Sequence, residues 1–307
     1  MRTLYFDCFS GISGDMVIGA LLDAGGDPKK LVEELKKLHF EDEYELAWKK
    51  VVKNGITSTK FDVILKNESN TLTHHHDHEH SHDQEHQHHH DHEHTHDHEH
   101  QHHHDHDHEH THDHVHEHIH THEHSHDHHH DHDHHHHHSH RAYKDIVRMI
   151  EESELAPEVK KIALKIFKKI GEAEGLIHGL PLENVHFHEV GAVDSIIDIV
   201  GTAILLQQLE ITTIKSSSVP VGTGKIHIDH GIYPVPAPAT LEILKGVPIE
   251  QSDIRFELTT PTGAGIISVL TDEFCSFPSM KVTAIGYGAG TKTFKDRPNV
   301  LRVIIGE

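Results

Sequence analysis

The chain has little cysteine and no long apolar run. Only two cysteines, Cys8 and Cys275, occur among its 307 residues. Two cysteines so far apart exclude a disulfide scaffold and a cysteine-based zinc module, and they indicate a reducing cytoplasm as the compartment. The most apolar stretch, residues 196–206, is interrupted by Asp198 and is too short to cross a bilayer. We therefore exclude a transporter and expect no membrane partner.

Basic residues are also scarce. The chain has 27 Lys and Arg against 50 Asp and Glu, which gives a formal net charge of −23. Without a basic patch to neutralise phosphates, a general nucleic-acid binder is excluded. The opening stretch MRTLYFDCFSG lacks the basic and then apolar pattern of a secretory signal, so we expect none. Walker, Rossmann and serine-nucleophile motifs are missing as well.

What the chain has in excess is histidine. Of its 45 histidines, 39 lie between His74 and His140, together with 17 acids and no Lys or Arg. Such a segment cannot bury enough apolar surface to fold, so residues 67–140 are predicted to be a disordered insert. Imidazole suits nickel, zinc and copper, and a flexible tract cannot hold a catalytic geometry, which favours a metal reservoir. The alternative is a solubilising spacer or a polyelectrolyte whose histidines titrate near pH ~6.5.

The two flanks of the insert, residues 1–66 and 141–307, have the pattern of one folded body. Strand-like segments at residues 44–52 and 57–65 are joined by an Asn-Gly turn, which is a strong hairpin signal. Elsewhere strand-like segments alternate with amphipathic helical patterns. The predicted fold is therefore α/β or α+β, with a mixed sheet and flanking helices.

The sequence VHFHE, residues 185–189, offers metal ligands at close spacing. We expect residues 182–187 to be strand-like, which would point His186 and His188 to the same side. With Glu189, these imidazoles can form a compact metal site or an acid–base pair. The alternative is that either histidine is an ordinary core residue.

Two acids follow on a predicted helix that is otherwise apolar, residues 194–209. Asp194 and Asp198 lie one turn apart, hence on one face. Asp194 could be no more than a helix N-cap. Acids in apolar surroundings are nevertheless typical of functional sites, so both are candidates.

Two further segments could hold a phosphate at a helix N-terminus. The candidate phosphate ligands are Ser10, Gly11, Ser13, Gly14, Thr260, Thr262 and Gly263. In the segment that contains Ser10 to Gly14, the acids Asp7 and Asp15 could instead hold a divalent ion that bridges to phosphate. Alternatively, Asp15 could simply complement the helix dipole. The candidate metal ligands outside the tract are Asp7, Asp15, His186, His188, Asp198, His227 and His230.

Taken together, these segments resemble the LarC family of nickel insertion proteins from lactate racemase maturation. The resemblance rests on DCFSGISGDMVIGALLDAG, VHFHEVGAVDSIIDIVG, VPVGTGKIHIDHGIYPVPAPATLEIL, ELTTPTGAGI and IGYGAGTKTFKDRPNVLRV. It covers essentially the whole chain outside the histidine tract. A histidine-rich insert of variable length is also typical of that family.

The resemblance implies a definite reaction. Family members place Ni²⁺ into pyridinium-3,5-bisthiocarboxylic acid mononucleotide and form the nickel-pincer cofactor of lactate racemase-type enzymes, with two Ni–S bonds and one Ni–C bond. This implies a CTP-dependent nickel chelatase or cyclometallase, a lyase, that uses Mn²⁺ or Mg²⁺. A base must remove a ring proton. The catalytic candidates are His186, His188, Glu189 and Asp194. The resemblance does not say which of them delivers nickel and which removes the proton.

The resemblance also implies partners. Family members commonly continue into a C-terminal domain to which CTP binding is attributed, and this chain stops where that domain would begin. We therefore expect a separate C-terminal partner chain, and a racemase or epimerase that receives the cofactor. A homo-oligomer is compatible with the sequence.

Two classes of function follow. One is an enzyme, or an enzyme subunit, that inserts nickel into an organic cofactor. The other is a non-catalytic protein that stores or delivers nickel. The histidine tract fits both classes, whereas the structured motifs favour the first.

Overall fold

A computed structural model of the chain describes residues 2–66, 141–187, 193–228 and 231–307. The predicted insert, residues 67–140, lies outside these ranges, as do His188, Glu189 and His230. The described part is a mixed seven-stranded sheet with flanking helices, as the sequence predicts.

The helices and strands alternate along the chain. The helices are α1 (Gly14–Asp23), α2 (Pro28–Leu35), α3 (Tyr143–Glu152), α4 (Pro157–His178), α5 (Val193–Gln208), α6 (Pro238–Ile243) and α7 (Pro261–Leu270). The strands are β1 (Thr3–Asp7), β2 (Tyr44–Lys53), β3 (Ile56–Leu65), β4 (Thr213–Ser216), β5 (Val219–Pro220), β6 (Lys225–Ile228), β7 (Gly231–Pro234), β8 (Ile249–Glu250), β9 (Glu273–Phe274), β10 (Val282–Ala289) and β11 (Val300–Gly306). None of the helices in the described ranges combines the length and apolarity that crossing a membrane requires.

The main sheet has the strand order β2-β3-β10-β11-β1-β4-β9. Strand β1 runs antiparallel to β11 and parallel to β4, while β10 runs antiparallel to β11 and parallel to β3. Strands β2 and β3 form the predicted hairpin. Its two turn residues, Asn54 and Gly55, have φ values of 46° and 84°, as a type I′ turn requires.

Helix α1 lies directly on the sheet, and this contact fixes where its N-terminus sits. It packs on β10, β3 and β11. The approach depends on glycine in β10, because a Cβ at Gly288 would lie 1.8 Å from the carbonyl oxygen of Met16. Helix α5 packs on α1, and α4 packs on α5, so the core lies between sheet and helices.

Helix α5 confirms the predicted buried helix. Most of its side chains are buried, including Ile196, Ile199 and Val200, and Asp198 lies half-buried among them. Burying each such aliphatic side chain contributes roughly 1.5–3 kcal/mol, which offsets the cost of placing a carboxyl there.

The strand predicted at residues 182–187 is wrong in its first half. Residues Leu182–Asn184 form a 3₁₀ turn, and the backbone N–H of Val185 donates to the carbonyl oxygen of Leu182 at 3.1 Å. Only an isolated bridge between His186 and Ala142 is strand-like. The proline at the start of the segment favours the turn, because Pro181 fixes its own φ.

Candidate functional site

Segments that are distant in sequence meet around one cavity of about 410 Å³. It is lined by the start of α1, the middle of β3, the first turns of α5 and the segment that leads into α7. The lining residues are Ser13, Gly14, Asp15, Lys60, Phe61, Asp62, Val63, Asp194, Ser195, Asp198, Glu257, Thr260, Pro261, Thr262 and Thr291. Five of them are acids and one is a lysine, so the cavity is negatively charged.

The N-termini of α1 and α7 are held together by backbone contacts. The N–H of Ile12 donates to the carbonyl oxygen of Leu258 at 3.0 Å, and the N–H of Thr260 donates to that of Ile12 at 3.1 Å. The two segments touch so closely that a Cβ at Gly263 would lie 2.1 Å from the Ile12 oxygen. Both helices therefore present their positive ends to the same cavity, and such ends favour anions.

Thr260 is the N-cap of α7, as the sequence predicts. Its Oγ1 accepts a hydrogen bond from the N–H of Gly263 at 3.2 Å. The Thr262 and Ser195 hydroxyls, both in the cavity wall, lie 3.4 Å apart. The second predicted phosphate segment thus places two threonine hydroxyls at the cavity, while Gly263 provides the close packing behind them.

Lys60 is a buried cation whose hydrogen-bonding capacity is fully used. Its ammonium group donates to Asp15 Oδ2 at 2.7 Å, to Asp62 Oδ1 at 2.9 Å and to the Phe61 carbonyl oxygen at 2.8 Å. Burial lowers the pKa of Lys60, but the charge and hydrogen bond of Asp15 outweigh it, so the pKa is raised. Since an ammonium has three hydrogens, Lys60 balances acids here and has no donor left for a phosphate.

Asp15 is likewise engaged within the protein. Its Oδ1 accepts a hydrogen bond from the Ser13 hydroxyl, and its Oδ2 accepts from Lys60. In the first turn of α1 it also complements the helix dipole, which is the simpler of its two sequence interpretations.

Asp198 has a different environment. Gly14 packs against it so closely that a Cβ there would lie 2.4 Å from Asp198 Oδ2. The backbone N–H of Asp15 donates to the carboxylate, yet Oδ1 is shielded from solvent and has no hydrogen-bond partner among the described residues. The residue as a whole is half-buried and lines the cavity. Burial, reinforced by the charges of Asp15 and Asp194, raises the pKa of Asp198 well above its ordinary value, although Lys60 opposes this.

Asp194 lies one turn before Asp198 on α5, and both line the cavity. Its Oδ1 accepts a hydrogen bond from the N–H of Ser195 at 2.8 Å. Asp194 is exposed, so it can reach a bound molecule with little rearrangement.

Only part of the first predicted phosphate-binding loop lies at the cavity. Ser13, Gly14 and Asp15 line the cavity, whereas Asp7, Ser10 and Gly11 do not. Asp7 accepts a hydrogen bond from Arg302 Nε at 2.8 Å on the sheet, and Ser10 donates to the carbonyl oxygen of Pro298 at 2.7 Å. Gly11 packs against the Leu258 backbone, where a Cβ would lie 1.9 Å from the carbonyl oxygen.

The predicted histidine ligands are not gathered at the cavity. His186 is exposed beside the start of α3, and His227 is exposed on the β6–β7 hairpin. His188, Glu189, His230 and the histidine tract lie outside the described residues. Within the described ranges, no group of three or more His, Cys, Asp or Glu side chains is arranged to hold a metal ion.

Sequence reasoning missed three charged residues of the cavity: Lys60, Asp62 and Glu257. Lys60 and Asp62 alternate with Phe61 along β3, which is an ordinary strand pattern with one solvated face. Only the packing of α1 across β3 brings Lys60 to Asp15. No spacing in the sequence could have indicated that contact.

The arrangement supports two kinds of interaction side by side. The acids from α1, β3 and α5 favour a cation, and the α7 N-terminus with its two threonine hydroxyls favours an anionic group. Asp198, a partly desolvated carboxyl, lines the same cavity and can exchange a proton. Such a cavity suits a small molecule that carries both charges, or a metal ion together with an anionic ligand.

Comparison with known proteins is consistent with this chemistry. The chain is 48% identical over its whole length to the pyridinium-3,5-bisthiocarboxylic acid mononucleotide nickel insertion protein of Geobacillus kaustophilus, of which it covers 60%. It is 47% identical to the protein of the same name in Clostridium acetobutylicum, covering 64% of it. A putative nickel insertion protein of Dictyoglomus thermophilum is 38% identical, with 61% of its length covered.

The chain thus spans about 60% of the length of the curated relatives it matches. No solved structure matches it. The family model described as nickel insertion protein matches residues 4–307, which is nearly all of the sequence. The chain therefore belongs to the nickel insertion protein family.

Proposed function

We propose that this chain carries out the insertion of Ni²⁺ into pyridinium-3,5-bisthiocarboxylic acid mononucleotide, and that the acid-lined cavity is the reaction site. The observation that carries the proposal is the convergence of α1, α5 and α7 on one cavity. The relatives in Geobacillus kaustophilus and Clostridium acetobutylicum are named for that same nucleotide and metal.

The charge distribution of the cavity suits both substrates. The nucleotide has a cationic ring, anionic thiocarboxylates and a phosphate. The acids near Asp194 and Asp198 favour the ring and the entering Ni²⁺. The phosphate fits the N-terminus of α7, where Thr260 and Thr262 add hydroxyl donors. The N-terminus of α1 is less available, because the N–H of Asp15 already donates to Asp198.

In this proposal nickel reaches the cavity from the histidines. The tract between His74 and His140 holds a reserve of Ni²⁺, and the segment with His186, His188 and Glu189 passes the ion on. The chain leads from Glu189 to α5, whose second residue is the cavity residue Asp194. This short connection favours the segment over the exposed histidine of the β6–β7 hairpin.

The proposal includes further components. The reaction is a CTP-dependent cyclometallation in the cytoplasm, of the lyase class, with Mn²⁺ or Mg²⁺ accompanying the nucleotide triphosphate. A separate partner chain takes part in the CTP-dependent reaction. A lactate racemase-type enzyme receives the product.

The alternative function, nickel storage or delivery without catalysis, needs only the tract. A protein that only stores or delivers nickel does not need a structured cavity with a partly desolvated carboxyl. The presence of this cavity therefore favours the insertion reaction.

A reconstitution experiment tests the proposed function. The full chain is mixed with the pyridinium nucleotide, Ni²⁺, CTP and Mn²⁺, with and without a chain that supplies the rest of a relative. We expect the nickel-pincer product, detected by mass spectrometry, only when both chains are present. Product formed from nickel and nucleotide at the same rate without this chain would contradict the proposal.

A further inference from the structure

Asp198 is the group in the cavity whose environment calls for an external partner. It lies on α5, a helix most of whose side chains are buried. One side of its carboxyl is packed against Gly14 at the start of α1 and accepts the N–H of Asp15. Its Oδ1 has no hydrogen-bond partner among the described residues and is shielded from solvent. Leaving a buried polar atom unpaired costs about 1–3 kcal/mol, so such an atom is usually kept for a purpose.

The neighbouring acids are already occupied. One carboxylate oxygen of Asp15 accepts a hydrogen bond from Ser13 and the other accepts from Lys60. Asp62 also forms an ion pair with Lys60. The described residues also offer no group of three ligands for a metal ion. Asp198 is therefore better placed to accept a proton than to serve as one ligand of a complete metal site in this cavity.

Resting on the proposed function, we propose that Asp198 is the catalytic residue that takes the ring proton when the nickel–carbon bond forms. The electron pair of the ring C–H bond becomes the Ni–C bond, and the proton passes to the Asp198 carboxylate. Nickel remains Ni²⁺ throughout, so no oxidant or reductant is needed. The carboxyl then returns the proton to water through the open side of the cavity.

The geometry gives this carboxylate a fixed position. Helix α5 is anchored by its buried apolar face, and Gly14 packs directly against the Asp198 side chain. A base held rigidly beside the reacting atom contributes about 10²–10⁴-fold to the rate of proton transfer. Asp194, one turn earlier, is exposed, which suits it to hold the cationic ring.

The test replaces Asp198 by Asn, which preserves shape and removes the basic oxygen. Under conditions in which the wild-type chain forms product, we expect Asp198→Asn to form the Ni–C bond about 10²–10⁴-fold more slowly. Nickel bound through sulfur, with the ring proton retained, should accumulate and be visible by mass spectrometry and proton NMR. The matched control is Asp145→Asn, a half-exposed carboxylate on α3 outside the cavity, which should react at the wild-type rate. Thermal melting confirms that each variant is folded.

Two outcomes would overturn the inference, and they differ. If the wild-type chain forms product and Asp198→Asn forms it at the same rate, the inference fails and the proposed function stands. The inference fails in the same way if Glu189→Gln, rather than Asp198→Asn, accumulates the species with its ring proton retained. If the wild-type chain forms no product with every component present, the proposed function fails and the inference falls with it.

Discussion

Burial raises the pKa of the Asp198 carboxyl, and this has a measurable consequence for stability. A carboxyl that binds its proton more tightly in the folded chain contributes stability that is fully present below its unfolded pKa of about 3.9. That contribution is lost as the pH rises through the raised folded value. Wild type is therefore destabilised at this site as the pH rises above the unfolded pKa, compared with its stability in acid.

We predict that Asp198→Asn melts at a higher temperature than wild type at neutral pH. The difference should shrink as the pH falls toward about 4, because the wild-type carboxyl is then protonated. Thermal unfolding at a series of pH values measures it, with Asp145→Asn as the control. All three proteins share the histidine tract, so its contribution cancels from the differences. A difference between Asp198→Asn and wild type that does not change with pH would contradict the raised pKa.

His188 provides a second prediction at the scale of single residues. His188→Ala should abolish cofactor formation while the chain stays folded, because the metal ion would lose the ligand that places it. Most nickel should remain bound, since 39 histidines of the tract dominate the ion count. Metal analysis and a product assay measure the two quantities. The matched control is His178→Ala, an exposed histidine at the end of α4, and equal product from both variants would rule out the assigned role.

At the scale of elements, the site depends on how closely two helix N-termini approach. Gly263 makes this possible, because its missing side chain lets α7 touch the backbone at Ile12. The nearest atom is a carbonyl oxygen of the main chain, so no side-chain rotation can relieve a clash there. The contact holds Thr260 and Thr262 beside the start of α1.

We predict that Gly263→Ala lowers the free energy of unfolding by about 1–3 kcal/mol, the usual cost of forcing an atom into a filled space. It should also weaken binding of the pyridinium nucleotide, because α7 must move away from α1. Urea unfolding and calorimetric titration measure these effects. Ser268→Ala, further along the same helix, should change both only slightly. An alanine variant with wild-type stability would show that the two segments do not pack as described.

Local patterns predicted several elements well. The β2–β3 hairpin follows from Asn54 and Gly55, and α5 follows from its apolar run, because both depend on neighbours in sequence. The threonine cap of α7 was predictable for the same reason. The pairing of β3 with β10 was not, and neither was the approach of Lys60 to Asp15, because both depend on which distant segments share the sheet.

The candidate site was predicted in part. Asp194, Asp198, Ser13, Gly14 and Asp15 reach the cavity, as motifs next to helix starts commonly do. The placement of Asp7 beside Arg302 shows the limit, since a loop residue can equally turn toward the sheet. The roles assigned to His188, Glu189 and His230 remain predictions, because these residues lie outside the described ranges.

At the scale of the whole molecule, the two residues that flank the insert lie close together, so removing the insert should not require the folded part to rearrange. Lys66 and Arg141, which flank it, both contact Glu43: the N–H of Lys66 donates to its carbonyl oxygen at 3.0 Å, and the Arg141 guanidinium pairs with its carboxylate. The chain on either side of the insert therefore starts and ends at one place. A short flexible linker is sufficient to join the two ends.

We predict that replacing residues 74–140 by such a linker lowers the number of nickel ions bound and slows insertion when nickel is scarce. With nickel in excess, insertion should persist, because the tract supplies the ion without forming the site. Equilibrium dialysis and product assays at two nickel concentrations measure this. Complete loss of product at saturating nickel, in a variant that melts like wild type, would contradict the role of a reservoir.

The proposed function depends above all on the cavity between α1, α5 and α7 receiving the pyridinium nucleotide. Hydrogen–deuterium exchange of the full chain, with and without the nucleotide, tests this directly and needs no substitution. We expect slower backbone exchange at residues 12–15 and 258–263, where the two helix N-termini line the cavity, and little change at the β6–β7 hairpin. Protection of the hairpin, with unchanged exchange at both helix N-termini, would place the binding site elsewhere.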